Sequence, residues 1–445
     1  MHCCSPSPDS NFPPRLAIAT AISLLVLAPV SSAFAYTLKT LHSFCTETNC
    51  GDGETPRSGL LMDKSGNLYG TTEFGGKYNK GLVFKLIPNQ NKTKYTEHIL
   101  KNFCARPECA DGAYPDSELI MDVDGNLYGA TQGGGTHTDG AIFKMKPLQN
   151  GWSFGVIHSF CAHPPACADG GVPYGGLAYA GQFSGKRWDE TSPLFGTTST
   201  GGANDKGTAY ELSPSGSGWS HHVLHSFNPS GGVESAYPGP LVVDASGNLL
   251  GVTYYGGKYG AGMLYRLASG TWNEVTLHNF CAEAICADGA RGVGRLAMDV
   301  SGNLFGTTMA GGSGSNCGEP GLCGVAFERT ESGKYKVIYD FCAKTKCKDG
   351  AEPAAGPIVD SSGNLFGVTG TGGAANGGTA FMLSRNAGQW TEQVLYSFCS
   401  ENGCADGGHP AAPVIEDGGG NIYGTTYDGG ANGDAGIGTV FGLQP

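Results

Sequence analysis

A single phrase recurs seven times along this chain, and only a fold with internal repetition can accommodate it. Its clearest copy reads Asp63-Lys64-Ser65-Gly66-Asn67-Leu68-Tyr69-Gly70-Thr71-Thr72, followed by Gly75-Gly76. The phrase returns around Asn126, Asn248, Asn303, Asn364 and Asn421. A reduced copy, Pro193-Leu194-Phe195-Gly196-Thr197-Thr198, lacks the Asp and the Asn. One glycine is common to all seven copies (Gly70, Gly129, Gly196, Gly251, Gly306, Gly367, Gly424). So is one threonine (Thr72, Thr131, Thr198, Thr253, Thr308, Thr369, Thr426). A repeat of about 57 residues is one supersecondary unit that cannot bury its apolar face alone, so neighbouring copies must stack.

Each repeat reads as four strands. The first runs from an aromatic to a phenylalanine: Tyr36 to Phe44, Tyr95 to Phe103, Trp152 to Phe160, Trp219 to Phe227, Trp272 to Phe280, Tyr335 to Phe341 and Trp390 to Phe398. These stretches are aromatic, β-branched and roughly alternating. The second is a short apolar run ending in Asp, as in Leu60 to Asp63, apolar on both faces and therefore deep. The Asp-x-x-Gly-Asn that follows is a hairpin turn, in which Asp accepts backbone N–H bonds and Gly takes a positive φ. The third strand is Asn67 to Thr72. The fourth carries a Gly-x-x-aromatic frame in every copy, at Phe84, Phe143, Tyr210, Tyr265, Phe327, Phe381 and Phe441.

Four antiparallel strands per repeat, seven repeats and no helical periodicity predict an all-β, seven-bladed β-propeller over residues 36–445. A β-solenoid is the alternative, but its coils are shorter and need capping ends. The repeat region, from Tyr36, begins with an aromatic strand and stops just after Phe441, where the next should start. That offset predicts a ring closed by the N-terminal strand, with Leu38 to Phe44 completing the seventh sheet beside Gly438 to Leu443. The apolar run is expected innermost and the aromatic strand outermost.

Residues 1–35 read as a secretory signal peptide: Arg15, an apolar run from Leu16 to Val30, and a small-x-small site at Ala33-Phe34-Ala35. The chain has 16 cysteines, of which Cys3 and Cys4 would leave with that peptide. The other fourteen form close pairs: Cys45/Cys50, Cys104/Cys109, Cys161/Cys167, Cys281/Cys286, Cys317/Cys323, Cys342/Cys347 and Cys399/Cys404. The repeat at Phe227 has lost both members together, as a local disulfide predicts. Zinc would need four converging ligands at shorter spacings. Seven disulfides in an exported chain are expected, and no metal or cofactor. A net charge of −12 disfavours nucleic acid and anionic membrane surfaces as partners. A monomer, released rather than membrane-held after cleavage, is the expectation.

The phrase GNLYGTT, its trailing Gly-Gly and the W-x-E-x-V-L-H-S-F strand together resemble the GloVer tandem repeat of secreted or surface-anchored bacterial proteins. The resemblance covers essentially all of residues 36–445. It implies an extracytoplasmic repeat protein and supplies no catalytic residues. Asp-x-x-Gly-Asn-Leu-aromatic-Gly-Thr also looks like the blade repeat of bacterial sensor propellers, at the level of fold.

Several constellations have duller explanations. Asp122-Val123-Asp124-Gly125-Asn126 looks like the start of a calcium loop but lacks its later ligands, so a turn is the better reading. The Asp-Gly pairs at Asp52, Asp111, Asp169, Asp288, Asp349 and Asp406 also read as turn chemistry. His42, His158, His225 and His278 share one repeat position with Lys101, Tyr339 and Tyr396, which no catalytic histidine would do. The repeats disagree most at the entry to the innermost strand, where Arg57, Tyr114, Asp116, Tyr174, Tyr237, Arg291, Glu352 and His409 stand. There they would line the mouth of the central channel, the alternative being drift in solvated loops. The expected function is non-catalytic binding of a glycan or surface protein at that mouth, with Arg57, Tyr174 and Glu352 weakening it when truncated. A polysaccharide lyase or hydrolase using Asp116, Glu352 and His409 is one alternative, and a structural envelope protein is another. A further expectation is that the turn face, repeating nearly one sequence, offers only a quasi-symmetric surface.

Overall fold

The computed structural model describes residues 36–162, 167–228, 237–313, 323–431, 433 and 437–445. The expected signal peptide and Cys317 lie outside them. The chain forms a ring of seven antiparallel sheets, a seven-bladed β-propeller. In the first blade the order from the channel outward is Leu61–Met62, Leu68–Thr72, Leu82–Pro88 and Tyr95–Asn102. The aromatic strand is outermost, as its sequence predicts, and three of its eight residues are exposed. The inner strands are mostly short, but in the third and fifth blades they lengthen to Gly171–Ala178 and Ala290–Met298.

The seventh blade takes its inner three strands, Ile415–Glu416, Ile422–Thr426 and Thr439–Gln444, from the C-terminal end of the sequence. Its outer strand is Thr37–Ser43, in antiparallel register from Thr37 opposite Gln444 to Ser43 opposite Thr439. The Phe44 N–H continues this ladder onto the Gly438 carbonyl at 3.1 Å. Phe44 itself is fully buried, in a cluster with Leu60, Phe84, Tyr423 and Val440. That cluster joins the seventh blade to the first, and equivalent clusters fill every inter-blade gap. The apolar face that one repeat cannot bury is thus buried against the next.

The repeat's invariant residues have local reasons. Gly70 lies opposite Phe84 in the ladder, and a Cβ there would approach the Phe84 ring to 2.5 Å. The same Gly–aromatic contact recurs at Gly129–Phe143, Gly196–Tyr210, Gly251–Tyr265, Gly306–Phe327, Gly367–Phe381 and Gly424–Phe441. Only a residue without a side chain lets the ring lie flat across its strand. Thr72 is buried and donates from Oγ1 to the Phe74 carbonyl at 2.8 Å, fixing the exit of the strand. Next, the Gly76 N–H docks on the Cys50 carbonyl at 2.8 Å, which holds the Gly-Gly loop against the Cys loop.

Six cysteine pairs are disulfide-bonded within their own loops: Cys45–Cys50, Cys104–Cys109, Cys161–Cys167, Cys281–Cys286, Cys342–Cys347 and Cys399–Cys404. Cys323 is also disulfide-bonded. Inside the first loop, buried Asp52 accepts from the Thr46 N–H at 2.8 Å and from the Glu47 N–H at 3.3 Å. In four other loops the variable His/Lys/Tyr position supplies a further donor to the equivalent aspartate. His278 Nε2 reaches Asp288 at 2.8 Å, Tyr339 and Tyr396 donate to Asp349 and Asp406 at 2.8 Å each, and Lys101 pairs with Asp111. Histidine, lysine and tyrosine interchange there because each can donate to a buried carboxylate. Asp63 does the corresponding work in the hairpin turn, accepting from Ser65 N–H, Asn67 N–H, Asn67 Nδ2 and Tyr69 Oη at 2.7–3.0 Å.

Candidate functional site at the channel mouth

Every inner strand is entered through a residue in the left-handed region. These residues are Thr55, Tyr114, Val172, Tyr237, Arg291, Glu352 and His409, with φ between 37° and 61°. All but Arg291 precede a proline. Such a backbone costs about 1–3 kcal/mol for a residue with a side chain. The surroundings hold it in place, because the N–H reaches back to the neighbouring blade: Tyr114 to Lys80 O at 2.9 Å, Arg291 to Ala261 O at 2.7 Å, Glu352 to Cys323 O at 2.9 Å and His409 to Gly377 O at 2.7 Å. The sequence-predicted Tyr114, Arg291, Glu352 and His409 therefore stand at inter-blade stitches on the rim, and Tyr237 takes the same left-handed backbone. Their side chains find rim partners: His409 Nδ1 meets Asp428 at 2.9 Å, Arg291 lies over the Tyr254 ring at 5.6 Å, and Lys80 bonds Tyr114 Oη. Burial raises the Glu352 carboxyl above its usual range, with His409 opposing the shift.

Two residues further along the strand, the side chains turn into the channel. Arg57, Asp116 and Tyr174, from the first three blades, meet there over a cavity of about 270 Å³. The opposite wall is apolar and mostly small: Gly294, Ala354, Ala355 and Ala411, with Met309 beside them. The mouth is therefore lopsided, polar on one side and open on the other. Arg57 pairs with Glu73 at 3.4 Å and lies 4.5 Å over the Tyr427 ring. Asp116 accepts from Gln132 Nε2 at 2.8 Å. Tyr174 is 45% exposed and presents its ring to the opening. Asp116, Glu352 and His409, the trio expected for an enzyme, divide between cavity and rim: Asp116 lines the cavity, whereas His409 pairs with Asp428.

Burial pushes the Asp116 carboxyl up to about 7, with Glu73 adding to the rise and Arg57 opposing it. Burial also raises Glu73. The folded chain thus holds the Asp116 proton more tightly than the unfolded chain, so this group's contribution to stability is complete below the usual carboxylate range. It is lost as pH rises through about 7. Asp116→Asn is expected to gain stability over the parent at pH 8 and to match it at pH 4, as read in urea melts. Identical pH dependence in the two proteins would overturn this.

The cavity has a floor. Corresponding positions of the seven inner strands carry Gly59, Glu118, Gly176, Pro240, Arg295, Gly356 and Pro413. Five are glycine or proline, and the remaining two are of opposite charge. Arg295 Nη2 crosses the channel to Glu118 Oε2 at 3.2 Å, and its Nη1 donates to Gln182 Oε1 at 2.9 Å. The small residues give this pair its room: a Cβ at Gly176 would come within 2.8 Å of Arg295 Nη2 and 2.9 Å of Glu118 Cβ. Below this septum a second chamber of about 280 Å³ is lined by Leu296, Ile358, Val414 and Phe183. The inner-strand comparison that singled out Arg57 and Asp116 passes over Glu118 and Arg295, which stand two residues deeper and become visible only when that column is read on its own.

The reduced repeat has a structural counterpart. In the third blade the hairpin turn is replaced by a longer excursion, Tyr179 to Ser192, that crosses the turn face. Trp188 anchors it, almost fully buried, edge-on to Tyr128 at 5.0 Å and stacked on Trp219 at 5.8 Å. The expected quasi-symmetry of that face is broken by this one loop.

Among solved structures, the extracellular domain of a one-component system from B. thetaiotaomicron aligns over 91% of this chain and 40% of its own, at 10% identity and TM-score 0.49. A GH74 enzyme of Niastella koreensis aligns over 85% and 51% at 15% identity and TM-score 0.49, and TolB from Acinetobacter baumannii over 87% and 78% at 10% identity and TM-score 0.39. The chain thus spans less than half the length of the first of these, and none of the three likenesses bears on function. No curated protein matches the sequence. The Gloeobacter/Verrucomicrobia repeat matches three times in succession, over residues 30–189, 187–346 and 315–445, and the chain belongs to that family.

Proposed function

We propose that the protein is an exported binding module that takes a glycan at the Cys-loop mouth without turning it over. The lopsided mouth carries this reading. Arg57, Asp116 and Tyr174 present a planar cation, an acceptor and an exposed ring to one cavity whose far wall is apolar and mostly small. A sugar offers hydroxyl edges to the first two and an apolar ring face to the third. Export is supported by the signal-like N-terminal sequence and by the six loop disulfides, which persist in oxidising compartments. No helix among the described residues is long and apolar enough to cross a membrane.

The test is a screen of the full chain against polysaccharides, read both by binding and by release of reducing ends or unsaturated products. Arg57→Ala and Tyr174→Ala are each expected to weaken the glycan about tenfold, or 1.4 kcal/mol. Glu352→Ala, on the rim, should cost less, and none of the three should shift the melting temperature of the free protein by more than a few degrees. Turnover that disappears in Asp116→Asn would instead favour a lyase or hydrolase. Binding that ignores both mouth substitutions would place the ligand elsewhere.

A further inference from the structure

A larger cavity than that of the mouth is on the other face. It measures about 840 Å³ and runs between the turns of the seventh and first blades, the inner strand of the second and the excursion of the third. Its wall carries Lys64, Lys92, Lys186 and Arg187. Lys92 pairs with Asp417 at 3.6 Å. Among the described residues, Lys64, Lys186 and Arg187 make no ion pair or side-chain hydrogen bond. The carboxylates nearby are differently placed. Asp63 and Asp417 spend their oxygens on their own turns, accepting from backbone N–H groups, an asparagine and a tyrosine. Glu416 is the remaining carboxylate of the groove.

The groove lining carries four cations, Lys64, Lys92, Lys186 and Arg187, against three carboxylates, Asp63, Glu416 and Asp417, a small positive excess in a chain of net charge −12. Arg187 is also pre-positioned. It adjoins Trp188, whose N–H bonds the Met121 carbonyl at 3.3 Å and whose carbonyl accepts from Val123 N–H at 3.0 Å. The excursion is thereby tied to the second blade on one side of the groove, while Lys64 rides the rigid hairpin turn of the first blade on the other. Between them the floor is apolar: Leu61, Met62, Ile120 and Met121. A groove of this size exceeds what a single small oxyanion needs. Its inner strands, Leu61–Met62 and Ile120–Met121, are two residues long, too short to template an added peptide strand.

From this geometry we infer that the turn-face groove is a second binding site, for an acidic saccharide whose carboxylates meet Arg187 and Lys64 and whose ring faces lie on the apolar floor. The excursion exists in one repeat only, so the site is single and asymmetric. It is independent of the mouth: a protein whose mouth binds no glycan still passes or fails the test below.

Calorimetric titration of the full chain with oligogalacturonate is expected to show binding that weakens steeply with salt. The fully methyl-esterified oligomer should bind at least tenfold more weakly, because charge-assisted contacts are lost. Arg187→Gln and Lys64→Gln should each reduce affinity for the acidic oligomer several-fold, and the double variant at least tenfold. Unchanged thermal melts would show that both substituted proteins are folded. The proposal is overturned if the esterified and acidic oligomers bind alike, if the double variant binds like the parent, or if no binding is detected. It is equally overturned if poly-glutamate or inorganic phosphate displaces the oligomer at matched charge concentration, since the groove would then be reading charge alone.

Discussion

Removal of residues 36–44 is expected to open the ring and to lower stability by more than any point substitution in the outer strands. The deletion leaves the third strand of the seventh blade, Thr439–Gln444, as an unpaired edge. It also empties the site of Phe44, which is fully buried between the seventh and first blades. Phe44→Ala alone should cost about 3–5 kcal/mol by the usual balance of transfer and cavity terms. The deletion adds the loss of a ladder running from Thr37 to Ser43 and should therefore exceed that value. Urea and thermal melts would measure both. A peptide of residues 36–44 supplied in trans should restore part of the loss by adding back the strand. A truncated protein that melts like the parent would count against closure by this strand.

Glu118→Leu should be the most damaging substitution in the channel. Arg295 is only 10% exposed, and Glu118 is its carboxylate partner at 3.2 Å. Breaking a buried pair from one side costs about 3–5 kcal/mol, chiefly because the surviving charge is stranded. Glu118 is 24% exposed, which puts the expected loss near the lower end of that range. Arg295→Met should be similarly harmful through the stranded carboxylate and the lost hydrogen bond to Gln182. Glu118→Leu with Arg295→Met should recover to within about 1 kcal/mol of the parent, since an apolar pair of similar volume replaces an ion pair that contributes little net stability. Urea titration of the four proteins closes the cycle. Purely additive losses would show that the two side chains do not act as a pair.

Strand order, ring closure and the six visible disulfides were legible in the sequence because each is a periodic signal. A pattern repeated seven times averages away the accidents of any one copy. What was not legible is what happens once. Arg57, Asp116 and Tyr174 were singled out together with Tyr114, Glu352 and His409, because one short stretch holds two kinds of position. Residues before the proline are bound to the neighbouring blade through their backbone, whereas those after it face the channel. A difference of two residues along a strand entry separates these roles, and only the register of the strand distinguishes them. The septum escaped for a related reason. Neither Glu118 nor Arg295 is unusual within its own repeat, and their meaning lies in being the two charged members of a column otherwise made of glycine and proline. The excursion after Tyr179 was seen in sequence only as a copy missing its Asp and Asn, because loss of a motif says nothing about the path that replaces it.

The strand that seals the ring shows that the covalent repeat and the blade are out of phase by one strand. Each sequence repeat opens with the outer strand of the blade before it and continues with the inner three strands of its own. Gain or loss of one whole repeat, by unequal recombination anywhere along the coding sequence, therefore leaves every sheet with four strands. No intermediate in such a history carries a half-built blade, because each junction between repeats falls inside a sheet, between its third and fourth strands. Blade number in proteins built this way can change by single steps while each product still closes on itself, so that the diameter of the channel, and hence the size of what enters it, is open to selection.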